Sequence, residues 1–283
     1  MYNITRGEIM DLAKFLRSYD IELFSVLDFK DVLITDTCKL QRYEEFTPKS
    51  LLILAIPYLH TVPENNNISL YALGRDYHLF FKNFFGKLIA HLLSEFPQNT
   101  FLPFADSSPI DERHAAARAG LGILGKNGLL ITEKYGSFVF LGEIISDIEL
   151  RDWGIPCHTF PIEDCIGCGA CIDACPKTNC GECLSAITQK KGEISFEESQ
   201  LMIKYGTAWG CDICQRVCPH NQNVATSTID FFKHDLIPCL DSETVNKMTK
   251  EEFKQRAWSW RGKATILRNL ALFEKVKNDD VEG

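Results

Sequence analysis

Nine of the chain's 12 cysteines fall between positions 165 and 218, in an order that leaves the segment few ways to fold. It opens Cys165-Ile-Gly-Cys168-Gly-Ala-Cys171-Ile-Asp-Ala-Cys175-Pro176 and closes Cys211-Asp-Ile-Cys214-Gln-Arg-Val-Cys218-Pro219. Each half ends in Cys-Pro, so one cysteine loop is written twice. Loops this tight and this rich in thiols are ordered by cross-linking or by soft metal ligation.

The spacing decides between these. The first half is the C-x2-C-x2-C-x3-C-P run of bacterial ferredoxins, in which three thiolates hold one [4Fe-4S] cubane and the fourth crosses to a second. Two clusters need eight thiolates. By the crossing rule Cys165, Cys168, Cys171 and Cys218 hold the first, while Cys175, Cys211 and Cys214 hold the second with either Cys180 or Cys183. Disulfides fit poorly, because no signal peptide is legible and the chain is long enough to build a core without staples. Zinc between Cys180-x2-Cys183 and Cys211-x2-Cys214 is the better rival, but it strands Cys175 and Cys218.

The remaining composition is that of a water-soluble protein of one large or two ordinary domains: 283 residues, 45% hydrophobic and 24% charged. No apolar run approaches the length of a membrane helix. Lys and Arg total 30 against 38 Asp and Glu, a net charge of -8, so no dominant nucleic-acid surface is evident from charge, although a local basic patch fits inside an acidic total. Free thiols and cubanes imply a reducing, cytoplasmic setting.

Along the chain, Thr5 and Glu8 form a capping box for a helix over 5 to 19, and 22 to 29 reads as a strand. The apolar run Leu51 to Ile56 reads as a strand buried on both faces. Helical spacing runs from Leu70 to about Phe96, where Arg75 and Tyr77 read, from spacing alone, as part of a solvated face plus core packing. A strand over 100 to 105 leads into Asp106, and Ser108 then reads as the N-cap of a helix with Pro109 in its first position and Gly120 as its stop. At a strand end before a helix, Asp106 is equally a turn residue or a presented catalytic carboxylate. Gly120, Gly122 and Gly125 mimic nucleotide-binding fingerprints, yet they close a helix instead of opening one, and Asn127 stands where a P-loop needs Ser or Thr. They serve a sharp turn or the close approach of a flat ligand. Residues 129–132 and 137–144 read as a hairpin, 147–162 as a domain boundary, and 243–256 and 261–277 as helices with Trp258 and Trp260 packed between them.

Taken together, Tyr71-Ala-Leu-Gly-Arg-Asp-Tyr-His78, Asp106-Ser-Ser-Pro-Ile-Asp-Glu-Arg113, Ala119-Gly-Leu-Gly-Ile-Leu-Gly-Lys-Asn127, Gly136-Ser-Phe-Val-Phe-Leu-Gly-Glu143 and Gly210 to Asn221 resemble the epoxyqueuosine reductase family of cobalamin-dependent iron-sulfur enzymes. The resemblance implies an α+β chain. A nitroreductase-related α/β cobalamin-binding catalytic domain would span 1–155, a two-cluster ferredoxin-like domain 156–225, and a C-terminal helical segment packing on the body 226–283. It implies that Cys183, in Cys183-Leu-Ser185, completes the second cluster, and that Asp106 is the proton donor. It also implies corrin contacts from Arg75, Tyr77, Lys126, Asn127, Ser137 and Ser185. An acid in the place of Asp106 must keep its proton at neutral pH, which burial against corrin and substrate favours.

The reaction so implied reduces epoxyqueuosine in the tRNA anticodon arm to queuosine, with electrons from a flavodoxin or ferredoxin passing through the clusters to cobalamin in a monomeric enzyme. Family members commonly continue into a helical-repeat region that helps hold the tRNA, and a shortened form lacking it is expected here. The alternatives are a corrinoid iron-sulfur reductase of a small molecule, akin to a reductive dehalogenase, and a non-catalytic electron-transfer protein.

Overall fold

The structure, a computed structural model, describes residues 12–43, 45–176 and 181–279. The start of the helix expected over 5 to 19, and Cys180, lie outside the described residues. The chain forms two compact units, Met1–Tyr58 with Phe81–Gly167, and Leu59–Phe80 with Cys168–Gly283. This grouping differs from the three consecutive segments read from the sequence: 59–80 belongs with the second unit and 156–167 with the first.

The first unit is built on an antiparallel sheet of order β1-β2-β6-β3, with β1 Leu23–Asp28, β2 Ser50–Pro57, β3 Phe101–Phe104 and β6 Val139–Ser146. The apolar run becomes β2, and every residue of it is buried. Its alternation feeds two layers. Leu51, Ile53 and Ala55 share a core with Leu141 and Ile145 of β6 and with the alanines of helix α4, Glu112–Arg118. Gly142 points the other way, where a Cβ would lie 2.3 Å from the ring of Phe81, so only glycine lets helix α3, Tyr77–Glu95, pack so closely there. Helix α1, Leu12–Arg17, joins α3 through Phe15 stacked on His91 at 4.5 Å. A short helix α2, Thr37–Gln41, is capped by Asp36, which accepts from the Lys39 N–H.

Four local expectations shift. The helix expected from Leu70 breaks after a 3-10 turn at Leu70–Ala72 and restarts at Tyr77, because the Asp76 carboxylate accepts from the His78 N–H and ring nitrogen. Ser108 does not cap α4. The Pro109 carbonyl is taken by the N–H groups of Thr35 and Asp36, and Ile110 bridges Ile34, so the chain stays extended until Asp111, whose side chain accepts from His114 N–H at 3.1 Å. The first arm of the expected hairpin, β5 Leu130–Ile131, pairs instead with β4 Ile123–Leu124, and between the expected arms one bridge is kept, Thr132 to Gly136. A Cβ on Gly122 would lie 2.4 Å from the Ile131 carbonyl oxygen, so that glycine serves the chain's own close approach and not a flat ligand's.

In the second unit the two Cys-Pro halves each form one short helix, α5 Ala170–Asp173 and the helix Ile213–Arg216, which pack together. Residues 59–80 are fastened to them: Asp212 accepts from the Ser69 hydroxyl and, at 2.7 Å, from Leu70 N–H, and Ile68 bridges Trp209. The C-terminal helix Lys263–Asp279 is held by Asn269, which donates to the carbonyls of Thr188 and Ala208. The helix expected over 243 to 256 is two, Ser242–Lys247 and Lys250–Lys254, the second opening on a Thr249 capping box. Trp258 is fully buried, but Trp260 is 57% exposed with Arg261 over its ring at 3.7 Å, so only the first packs as expected.

Candidate active site and cluster ligands

β3 ends at Phe104 and the chain turns through Asp106 at a φ of 73°, a left-handed conformation that an aspartate tolerates better than most residues. Ser108 N–H donates to the Asp106 carbonyl at 2.7 Å, and Lys39 of α2 donates to the Ser107 carbonyl and hydroxyl at 3.3 and 3.0 Å. The turn is thus pinned, and it leaves the Asp106 side chain exposed at the end of the sheet.

Two further carboxylates stand behind it in the same unit. Glu112 is the first residue of α4, and its Oε2 is buried without a hydrogen-bond partner. Burial, and then the nearby charge of Asp106, push its carboxyl up to about 7 against the pull of Arg113. Glu143 lies in the middle of β6, opposite Ile53 of β2 and Phe104 of β3, on the strand face it shares with Leu141 and Ile145. It is fully buried, and neither of its carboxylate oxygens has a hydrogen-bond partner. Burial, and then the Glu112 charge, push it up to about 8, with the Ser108 hydroxyl opposing. The sequence reading named Asp106 and passed over Glu143. The signal was there, since Glu143 is the sole charged residue in the strand Val139–Ser146.

The expected corrin contacts fall in both units. In the first, Asn127 accepts from Leu129 N–H through Oδ1 while its Nδ2 is buried and unpartnered, Lys126 reaches the Gly167 carbonyl at 3.5 Å, and Ser137 is buried just ahead of β6. In the second, Arg75 lies 5.0 Å over the Phe231 ring with Nε buried and unpartnered. Tyr77 meets Tyr71 edge-on at 6.4 Å, and the Ser185 hydroxyl accepts from Gln189 at 3.1 Å.

Of the cysteines, Cys175, Cys183, Cys211 and Cys214 gather in the second unit. Burial first, and then the neighbouring Asp212, Cys183 and Cys175, push Cys211 up to about 11. Cys214 rises to about 12 by burial and the proximity of Cys211, Cys175, Cys183 and Cys171. Cys211 and Cys214, whose ionisation burial and the neighbouring thiols oppose, suit a soft cationic cluster, whose charge reverses that opposition. The four thiols are the set expected for the second cluster. Of the other set, Cys171 and Cys218 are buried and Cys168 exposed in the second unit. Cys165, in the first, is held below the usual thiol range by the N–H groups of Gly167 and Lys126.

Known sequences match this layout. Residues 45–107 match the family described as Epoxyqueuosine reductase QueG, DUF1730, and residues 160–177 the 4Fe-4S binding domain. The epoxyqueuosine reductase of Leadbetterella byssophila is 33% identical over 243 residues, 81% of this chain and 78% of its own. The chain belongs to the epoxyqueuosine reductase family. It spans 54% to 63% of the length of several longer curated epoxyqueuosine reductases. A crystal structure of an epoxyqueuosine reductase with an epoxyqueuosine-modified tRNA-Tyr stem loop matches at a TM-score of 0.74 and 25% identity, covering 93% of this chain and 80% of that one. The epoxyqueuosine reductase of Bacillus subtilis, in a structure with an aspartate catalytic loop swung out of the active site, matches at a TM-score of 0.71 and 25% identity with the same coverage. The fold is therefore the epoxyqueuosine reductase fold with a 4Fe-4S segment that runs from the end of the first unit into the second, and among the described residues no helix is long and apolar enough to cross a membrane.

Proposed function

We propose that the chain is a cobalamin-dependent reductase that converts epoxyqueuosine to queuosine in tRNA, drawing electrons through two [4Fe-4S] clusters from a low-potential flavodoxin or ferredoxin, as a cytoplasmic monomer. The observation that carries this reading is the pairing, in a member of this family, of a gathered thiol set with a pinned turn that presents Asp106. Cys165, Cys168, Cys171 and Cys218 would hold one cluster and Cys175, Cys183, Cys211 and Cys214 the other. Asn127 fits a cobalamin contact best, because its buried Nδ2 lacks a partner and the corrin rim offers carbonyl acceptors. Lys126, Ser137, Arg75, Tyr77 and Ser185 are the further proposed contacts. Bound cobalamin would supply a strongly reducing, nucleophilic metal.

The chain's own part is acid catalysis. Asp106, exposed on its turn, has room to meet a substrate and give a proton to the epoxide oxygen as the carbon–oxygen bond breaks. The α2 lysine, by fixing Ser107, keeps that carboxyl from wandering.

The test is anaerobic reconstitution followed by iron and cobalt analysis and an assay on an epoxyqueuosine-containing stem loop with a low-potential donor. Queuosine formation is expected. A protein loaded with iron and cobalamin that leaves the epoxide intact would refute the assignment. In the same assay Asp106→Asn should keep iron and cobalamin and lose turnover about 100-fold or more.

A further inference from the structure

The fully buried Glu143, with both carboxylate oxygens unpartnered, has no structural task in a sheet that would pack at least as well with an apolar residue there. Its neighbour in space is Glu112, whose Oε2 is likewise buried and unpartnered, and Glu112 in turn borders Asp106. We propose that Glu143 and Glu112 form an acid–carboxylate pair that holds a proton in reserve behind Asp106 and returns it to Asp106 within the reaction.

The stoichiometry asks for such a reserve, and in this the inference rests on the proposed function. Turning an epoxide into an alkene and water consumes two electrons, from the low-potential donor, and two protons. Asp106 carries one. After it is spent on the epoxide oxygen, an O–H bond in the pair breaks and one forms on Asp106, so that the second proton can leave with the departing water. Solvent then repays the pair.

The surroundings favour one shared proton. β2 and β3 set Ile53 and Phe104 opposite Glu143, and the polar groups that act on its carboxyl come from the Asp106 turn and α4: the Ser108 hydroxyl and Glu112. Glu112 faces Asp106 and Asp111, which oppose its ionisation, and Arg113, which favours it; His114 on the same helix keeps a buried, unpartnered Nδ1. Two charges side by side in this setting would repel with little to offset them, and two neutral acids would give up their protons as pH rises through the range already given for the pair.

Infrared titration of the substrate-free protein reads the pair without any turnover. A protonated-carboxyl band should be present at pH 6.5, fade by about pH 9, and be lost in Glu143→Gln; its absence from the wild type at pH 6.5 overturns the proposal. Single turnover of the loaded enzyme reads its role: Glu143→Gln and Glu112→Gln should slow product formation about tenfold and flatten the pH dependence near 7 to 8, with stem-loop affinity unchanged. Unchanged rates and profile in both variants, beside an active wild type, overturn the reserve. If Glu143→Gln does not fold, Glu112→Gln alone decides. A wild type with the band but no activity refutes the proposed function and with it the reserve, leaving only the pair.

Discussion

A single glutamate in the middle strand makes the first unit sensitive to alkali. The folded-state values of Glu143 and Glu112, about 8 and about 7, lie above the ordinary 4.5 of an unfolded chain. The stability that these two groups contribute is therefore fully present below pH 4.5 and is lost as pH rises through those folded values, levelling off above pH 8. Glu143→Gln removes its share of the loss. Denaturant unfolding should find the variant more stable than wild type at pH 9 by an amount on the order of 3 kcal/mol, with the difference shrinking toward pH 5. The turn at the end of β3 could be read from the residues because turns announce themselves through Asp, Ser and Pro, whereas the role proposed for Asp106 came from the resemblance alone. The acid behind it was hidden, because only the pairing of β6 with β2 and β3 reveals that it has no exit to water.

At the scale of elements, β2 was legible from its unbroken apolar run, and the stop of α4 from Gly120, whose φ is 75°. The start of α4 was not. Ser108 and Pro109 make a good local N-terminus, but a strand-like contact with Ile34, distant in sequence, outbids it and moves the cap to Asp111. The two candidates separate by mutation: Asp111→Ala should cost about 1 kcal/mol in chemical denaturation, and Ser108→Ala distinctly less. Gly122→Ala should weaken the β4–β5 pair by about 1–3 kcal/mol in the same measurement, since its Cβ would meet backbone that cannot yield. The pairing of β5 with β4 was equally invisible, because both strands are two residues long and carry no alternation to read.

For the whole molecule, the cysteine pattern told what the second unit holds but not which residues build it. Nothing local in 59–80 says that it leaves the sheet-bearing unit; the anchoring of Ser69 and Leu70 by Asp212 shows it. Seven of the eight proposed cluster ligands lie in that unit, Cys165 being the exception, so anaerobic removal of iron should lower its melting transition more than the first unit's, giving two calorimetric steps where the loaded protein has them closer together. The same threading bears on how the chain is made. Ile68, Leu70 and Leu73 are buried in the finished protein against partners that begin at residue 168. At ordinary rates of synthesis this apolar segment waits roughly ten seconds on the ribosome before its partners emerge, while the first unit closes around the gap it leaves. That interval is when the chain's exposed apolar surface is most open to misfolding.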